Sequence, residues 1–261
     1  MMPSASPPSL LPERWFPTRK PLPDARLRLF CVPFAGGTVA AFNGWSALLP
    51  PGVELCAVQL PGRERRLMEK PFDDLTALVD TLLPLMEPLL DRPFALFGYS
   101  MGARINLELA RRLQARGGRQ PVGLFMAASI SPHVRDSEPI HHLPHDAFVA
   151  ELRRYDGTPE EVLRHKELLE LVVPTLRADF ALAWWESGQQ PIPVDAPISV
   201  MGATHDGHVP TEKLTSWRSQ TRSNDFQVRT FPGGHFFLRQ QQAALLSAIA
   251  ADLTRWMQSP A

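Results

Sequence analysis

The stretch PFALFGYSMGARINLELARRLQARGG, Pro93 to Gly118, decides the architecture. Pro93 to Phe97 reads as a short buried strand, and the spacing from Arg104 onward reads as a helix that stops at Gly117-Gly118. Between them lies Gly98-Tyr99-Ser100-Met101-Gly102, a G-x-S-x-G pentapeptide. Alone, the five-residue pattern is weak. A strand before it and a helix after it make it a sharp turn that exposes a serine hydroxyl at the end of a sheet. Glycines at 98 and 102 suit a place where strand and helix come too close for a Cβ. The helix also directs its positive N-terminal end at the serine. Ser100 is therefore the candidate nucleophile.

Outward from this centre, strand-like runs alternate with helical ones. Arg26 to Pro33 reads as a strand, followed by the turn Phe34-Ala35-Gly36-Gly37. Val39 to Leu49 has helical spacing, and Val53 to Leu60 reads as a second strand. Asp73 to Leu90 reads as an amphipathic helix, with Leu75, Leu78, Val79, Leu82, Leu83 and Met86 at three- and four-residue steps. Beyond the central stretch, Val122 to Ala128, Pro197 to Met201 and Phe226 to Phe231 read as strands, and a closing helix begins at His235. Alternation of this kind predicts an α/β fold with a mostly parallel sheet flanked by helices. From Ser131 to Pro193 no strand is suggested. Helices are expected there over Asp146–Arg154, Pro159–His165 and Glu167–Trp185. Such an insertion is most simply a helical cap, or lid, over the strand ends where ligands bind. The expected organisation is an N-terminal extension over 1–24, a core formed by 25–130 and 194–261, and a lid over 131–193.

The 261 residues suit one large α/β domain or two small ones. Lys+Arg and Asp+Glu both total 27, so the balance of charge points to neither nucleic acid nor an anionic membrane. No apolar run reaches the length of a membrane span. The Pro- and Ser-rich N-terminus lacks the apolar core of a signal peptide, and disorder is expected to about Leu11. A cytoplasmic location follows as the default. Cys31 and Cys56 sit in apolar strand-like runs and read as reduced, buried residues. His141 and His145 have i, i+4 spacing, but no Glu completes a zinc motif and Pro144 interrupts the segment, so no metal is expected.

A serine hydroxyl needs a base to take its proton, and the base needs a group that orients it. Both partners should follow late strands, in the order acid then histidine. His235 follows FQVRTF within Pro232-Gly233-Gly234-His235, and Asp206 follows PISVMGA within Thr204-His205-Asp206-Gly207. Asp195 and Asp225 are poorer candidates because each precedes a strand. An oxyanion requires two backbone N–H donors. Met101, the residue after the nucleophile, is one. Ala35 in the loop after the first strand is the other, with Phe34 as the fallback.

Together these residues resemble the type II thioesterases, the stand-alone editing enzymes of polyketide and nonribosomal peptide biosynthesis. The resemblance runs from about Trp15 to Trp256. It rests on LFCVPFAGG (29–37), QLPGRERR (59–66), GYSMG (98–102), LPHDAFVAELRRYDGTPEEVL (143–163), LRADF (176–180) and FPGGHFFL (231–238). It implies an α/β-hydrolase fold with a helical lid and hydrolysis of acyl thioesters. The implied substrate hangs on the phosphopantetheine arm of an acyl or peptidyl carrier protein, which would be the partner. The implied roles are Ser100 as nucleophile, Asp206 as acid, His235 as base, and Ala35 and Met101 as oxyanion donors. Phe34, Tyr99, Trp184, Trp185 and Phe236 are the candidate substrate contacts.

Three features depart from the family pattern: Tyr99 where histidine is common, Arg104 and Asn106 where small or apolar residues are common, and Trp184-Trp185 late in the lid. Adjacent indoles on a helix face different ways, so one is expected in the core while the other narrows the acyl chamber and favours short or flat acyl groups. Arg63, Arg65 and Arg66 are candidates for contact with the pantetheine phosphate or an acidic carrier surface, since arginine suits phosphate geometry. No cofactor beyond the carrier's own arm is expected, nor a second subunit. The competing readings are a carboxylesterase or lipase on oxygen esters, an acyltransferase or cyclase with the same triad, and a binding module on a decayed hydrolase scaffold. Cyclising relatives are usually fused to a synthase. The chain's own initiator methionine and lack of a flanking domain favour the stand-alone hydrolase.

Overall fold

Six strands carry the fold: β1 Leu27–Val32, β2 Val53–Ala57, β3 Phe94–Tyr99, β4 Leu124–Ala127, β5 Ile198–Ala203 and β6 Phe226–Phe231. They form one sheet in the order β2-β1-β3-β4-β5-β6, and every adjacent pair is parallel. The structure, a computed structural model, describes residues 8–134, 138–155, 157–158, 160–185 and 189–258. Each strand lies within or overlaps a stretch whose apolar character suggested it.

Parallel strands joined by helical crossovers are covered on both faces, so their side chains are apolar in both directions. The two-residue period divides them. Phe30, Val32, Phe94 and Leu96 enter the core on one face, with the helices Leu75–Met86 and Met101–Ala115. Leu29, Cys31, Ala95, Phe97 and Tyr99 enter the core on the other, under the closing helix Gln242–Gln258. Both cysteines are free and buried, and burial pushes the Cys56 thiol up to about 12. No helix among the described residues is long and apolar enough to cross a membrane.

Between β4 and β5 the chain leaves the sheet and forms the helices His145–Tyr155, Glu160–Arg164 and Lys166–Trp184. They build a third apolar cluster of their own, around Phe148, Leu152, Leu163, Leu176 and Phe180. Ala35, in the loop after β1, packs against this cluster, so the lid sits on the C-terminal ends of the strands. The Thr175 hydroxyl adds a hydrogen bond to the Gly62 carbonyl at 2.8 Å.

Several details differ from the sequence reading. Val39–Leu49 is two short helical turns, Val39–Phe42 and Trp45–Leu48, separated at Asn43-Gly44. The closing helix starts at Gln242, after a separate turn over Phe237–Gln240. Residues 1–7 of the expected disordered tail lie outside the described residues. Ser9, however, is held: its N–H donates to Glu69 at 2.7 Å and its carbonyl accepts from the Trp15 indole at 2.6 Å. Trp15 and Phe16 are part of the main core, so the N-terminal segment seals the fold.

Candidate active site

β3 ends at Tyr99 and the next helix begins at Met101, so Ser100 alone makes the turn. Its φ of 54° and ψ of −113° lie in a region that L-residues avoid, which costs on the order of 1–3 kcal/mol. A Cβ at Gly98 would stand 2.2 Å from the Gly102 carbonyl oxygen, and one at Gly102 would stand 2.1 Å from the carbonyl of Val32. Only hydrogen fits at either place. The Ser100 N–H is held by the Ala127 carbonyl of β4 at 2.8 Å, which keeps the strained residue in register with the sheet.

The loops after β5 and β6 are tied to one another. Thr204 N–H donates to the Phe231 carbonyl and His205 N–H to the Gly233 carbonyl, both at 2.9 Å. That pairing brings Asp206 beneath His235. His235 Nδ1 lies 2.8 Å from Asp206 Oδ2, and its Nε2 lies 3.3 Å from Ser100 Oγ. The other Asp206 oxygen, Oδ1, accepts the N–H groups of His208 and Val209 at 2.9 and 3.1 Å. Burial pushes the Asp206 carboxyl up. The hydrogen bond and charge of His235 and the two backbone donors outweigh that, so its pKa lies below the ordinary carboxylate value. The three side chains thus form one hydrogen-bonded chain able to deprotonate a serine and stabilise the imidazolium that results.

Met101 is the first residue of its helix, so its N–H has no intrahelical acceptor. Ala35 borders a small cavity together with Ser100 and His235. The loop that carries Ala35 is clamped from the lid. Gly36 N–H donates to Asp179 Oδ2 at 2.6 Å, and Arg63 grips the same carboxylate with two nitrogens at 2.7 and 2.8 Å. Arg63 also donates to the carbonyls of Gly37 and Pro61. Both members of the pair are buried. The Arg63 guanidinium thus ties the lid to the loop through Asp179. Arg66 is buried too, over the Trp15 ring and paired with Glu69. Of the three arginines only Arg65 is exposed.

Two cavities meet at Ser100 and His235. One, of about 30 Å³, is lined by Phe34, Ala35 and Phe236 among others. The other, of about 90 Å³, reaches Arg104, Tyr155, Phe180, Trp184 and His208. Phe34, Phe236 and Trp184 therefore stand where substrate contacts were expected. Tyr99 and Trp185 do not. Tyr99 is wholly buried below the site, where its hydroxyl donates to the His235 carbonyl and accepts the Leu238 N–H. The alternation of β3 turns it to the opposite side of the sheet from the helix that follows. Trp185 packs against the main core. Tyr155 and Phe180 were not foreseen as cavity residues. The Tyr155 ring stacks on His208 at 3.9 Å, so a lid residue reaches the loop that carries Asp206. The helix expected from the sequence stopped at Arg154, one residue short of Tyr155, and the Tyr155 contact depends on lid docking. Among the described residues no group of His, Cys, Asp and Glu could hold a metal ion.

Comparison with known proteins supplies a separate line of observation. A family model described as thioesterase domain matches residues 27–253. The gramicidin S biosynthesis protein GrsT of Aneurinibacillus migulanus is 37% identical over 241 residues, covering 92% of this chain and 94% of that protein. Among solved structures, RedJ-thioesterase from the prodiginine biosynthetic pathway of Streptomyces coelicolor has a TM-score of 0.81 at 32% identity, covering 97% of this chain and 95% of that one. YbtT, a type II thioesterase from the yersiniabactin NRPS/PKS biosynthetic pathway, has a TM-score of 0.78 at 28% identity, covering 90% and 96% respectively.

Proposed function

The chain belongs to the thioesterase domain family, and from that premise we propose that it is a type II thioesterase that clears acyl groups from carrier proteins of a polyketide or nonribosomal peptide assembly line. Ser100 attacks the thioester carbonyl while His235 takes its proton. Asp206 holds the imidazole in the required tautomer and stabilises its charged form. The N–H groups of Met101 and Ala35 bind the oxyanion. The pantetheine thiol leaves with a proton from His235. Water, deprotonated by His235, then releases the acid from the acyl-enzyme. In this mechanism the protein uses no cofactor of its own, because the pantetheine arm belongs to the carrier.

The observation that carries this reading is the chain Asp206–His235–Ser100 at a strained strand-to-helix turn under the lid, with bonds of 2.8 and 3.3 Å. An oxygen-ester hydrolase would share that geometry. The editing role is favoured by relatives whose names place them in antibiotic and NRPS/PKS pathways. The test is intact-protein mass spectrometry of an acylated carrier protein over time, with wild type and Ser100→Ala. Wild type is expected to return the free pantetheine thiol and the variant to fall by about 10⁶-fold in turnover. A wild type that leaves the acyl carrier intact while cleaving a small oxygen ester would replace this reading with an esterase.

A further inference from the structure

Ser100, His235, Tyr155, Phe180 and Ala183 border both of the cavities that meet at the nucleophile. The junction between the two is therefore shaped by three lid residues that stand over the serine and its base. Tyr155 is the last residue of its helix and is half-buried. The centroid of its ring lies 5.0 Å from that of Phe180 and 6.3 Å from that of His235.

That ring is held from the loop of the triad acid. His208 stacks on it with centroids 3.9 Å apart and planes 5° from parallel. His208 Nε2 lies 3.2 Å from the Arg154 carbonyl, which can only accept, so Nε2 carries a proton and donates it. The last carbonyls of a helix have no partner within it, and this bond supplies one. The backbone of the same residue is tied to the triad, because the His208 N–H donates to Asp206 Oδ1 at 2.9 Å. The His208 side chain thus fixes the end of the lid helix against a loop that the triad itself anchors.

During the reaction the acyl carbon is bonded to Ser100 Oγ, at the junction of the cavities. The next carbon is one bond further on, so its substituents meet Tyr155, Phe180 and Ala183. Only the far end of the chain reaches Trp184, which borders the 90 Å³ cavity and not the 30 Å³ one. A single chain passes the junction, whereas a second carbon at the branch point has to displace a ring that His208 holds. Building on the thioesterase reading, we propose that the Tyr155 ring selects acyl groups that are unbranched next to the carbonyl over groups branched there, and that His208 is the positioning residue that holds this ring.

The test compares n-butyryl- and isobutyryl-pantetheine, which differ only in where one carbon is attached, by kcat/KM with wild type, Tyr155→Ala, Tyr155→Phe and His208→Ala. The intrinsic difference in reactivity between the two thioesters cancels when variants are compared. Tyr155→Ala should lower the butyryl-to-isobutyryl ratio by about 10- to 200-fold, the range that one carbon is worth in an apolar pocket. Tyr155→Phe keeps the ring and should keep the ratio. His208→Ala should lower the ratio part of the way and add nothing in the Tyr155→Ala background, because it acts through the ring. A Tyr155→Ala that changes both substrates by the same factor overturns the inference, as does a Tyr155→Phe that shifts the ratio as far as alanine does. A His208→Ala with the wild-type ratio overturns the positioning role. Should Tyr155→Ala not fold, Tyr155→Leu, whose shorter side chain also clears the junction, decides by the same ratio. Ser100-dependent cleavage of both substrates with a ratio that no variant moves would leave the thioesterase reading standing and this inference refuted. No cleavage of either would refute both.

Discussion

Replacing Asp179 with alanine tests whether the lid helix positions the loop proposed to bind the oxyanion. The Asp179 carboxylate accepts Gly36 N–H at 2.6 Å and two Arg63 nitrogens at 2.7 and 2.8 Å. Its side chain is 1% exposed and that of Arg63 6%. Asp179→Ala therefore leaves a buried guanidinium without its counter-charge and a loop N–H without its acceptor. Breaking one side of such a pair costs about 3–5 kcal/mol. At roughly 2–4 °C per kcal/mol for a domain of this size, Tm should fall by about 6–20 °C. The double variant Arg63→Met/Asp179→Leu removes both charges, and most of that stability should return. Activity should not return with it, because Gly36 stays untethered and Ala35 moves with it. A displaced oxyanion donor costs about 10²–10³ in kcat. Thermal unfolding by circular dichroism and steady-state hydrolysis of a short acyl-pantetheine measure the two effects separately. A double variant that regains full kcat along with Tm would show the pair to be a stabiliser alone and refute the positioning argument.

Three further outcomes are expected. Tyr99→Phe removes the donor to the His235 carbonyl and the acceptor of Leu238 N–H, so it should cost about 1–3 kcal/mol and lower kcat more than it changes KM; an unaltered kcat would show that the base loop holds itself. Trp184→Ala should shift the acyl optimum to longer chains, whereas Trp185→Ala, which leaves a hole beside the core, should lower Tm with the optimum unmoved; the reverse assignment would contradict the cavity. The depressed Asp206 pKa contributes stability that is present above the unfolded value near 3.9 and lost as pH falls through the folded value. Asp206→Asn should therefore lower kcat by about 10⁴-fold at neutral pH, and its Tm gap from wild type should narrow as pH falls below the unfolded value of about 3.9; a widening gap would reverse the sign.

Much of the site was legible because it lies in short segments with strong local rules. The elbow needs glycine at 98 and 102 for steric reasons that hold in any such turn, and the contacts a Cβ would make bear this out. Asp206 and His235 each follow a strand, so strand recognition was enough to nominate them. The PGRERR arginines were harder. Three arginines in a loop read as contacts for a phosphate or an acidic carrier surface, but two of them turn inward to carboxylates, one of which, Asp179, lies 116 residues away from Arg63. Tyr99 was misplaced for a related reason: its position next to Ser100 suggested the pocket, while the strand's alternation sends its ring to the other side.

By itself, then, the sequence determined the six-stranded alternation, the lid's location, the serine turn and the identities of the residues that meet there. Each depends on periodicity or on backbone sterics within a few residues. Tertiary structure alone decided which groups the lid brings to the site: the Asp179 clamp on the oxyanion loop, Tyr155 on His208, and Trp184 rather than Trp185 in the wall. Those contacts join segments far apart in the chain. Burial and charge pairing between packed elements set them, and no local pattern encodes which partner a side chain will find.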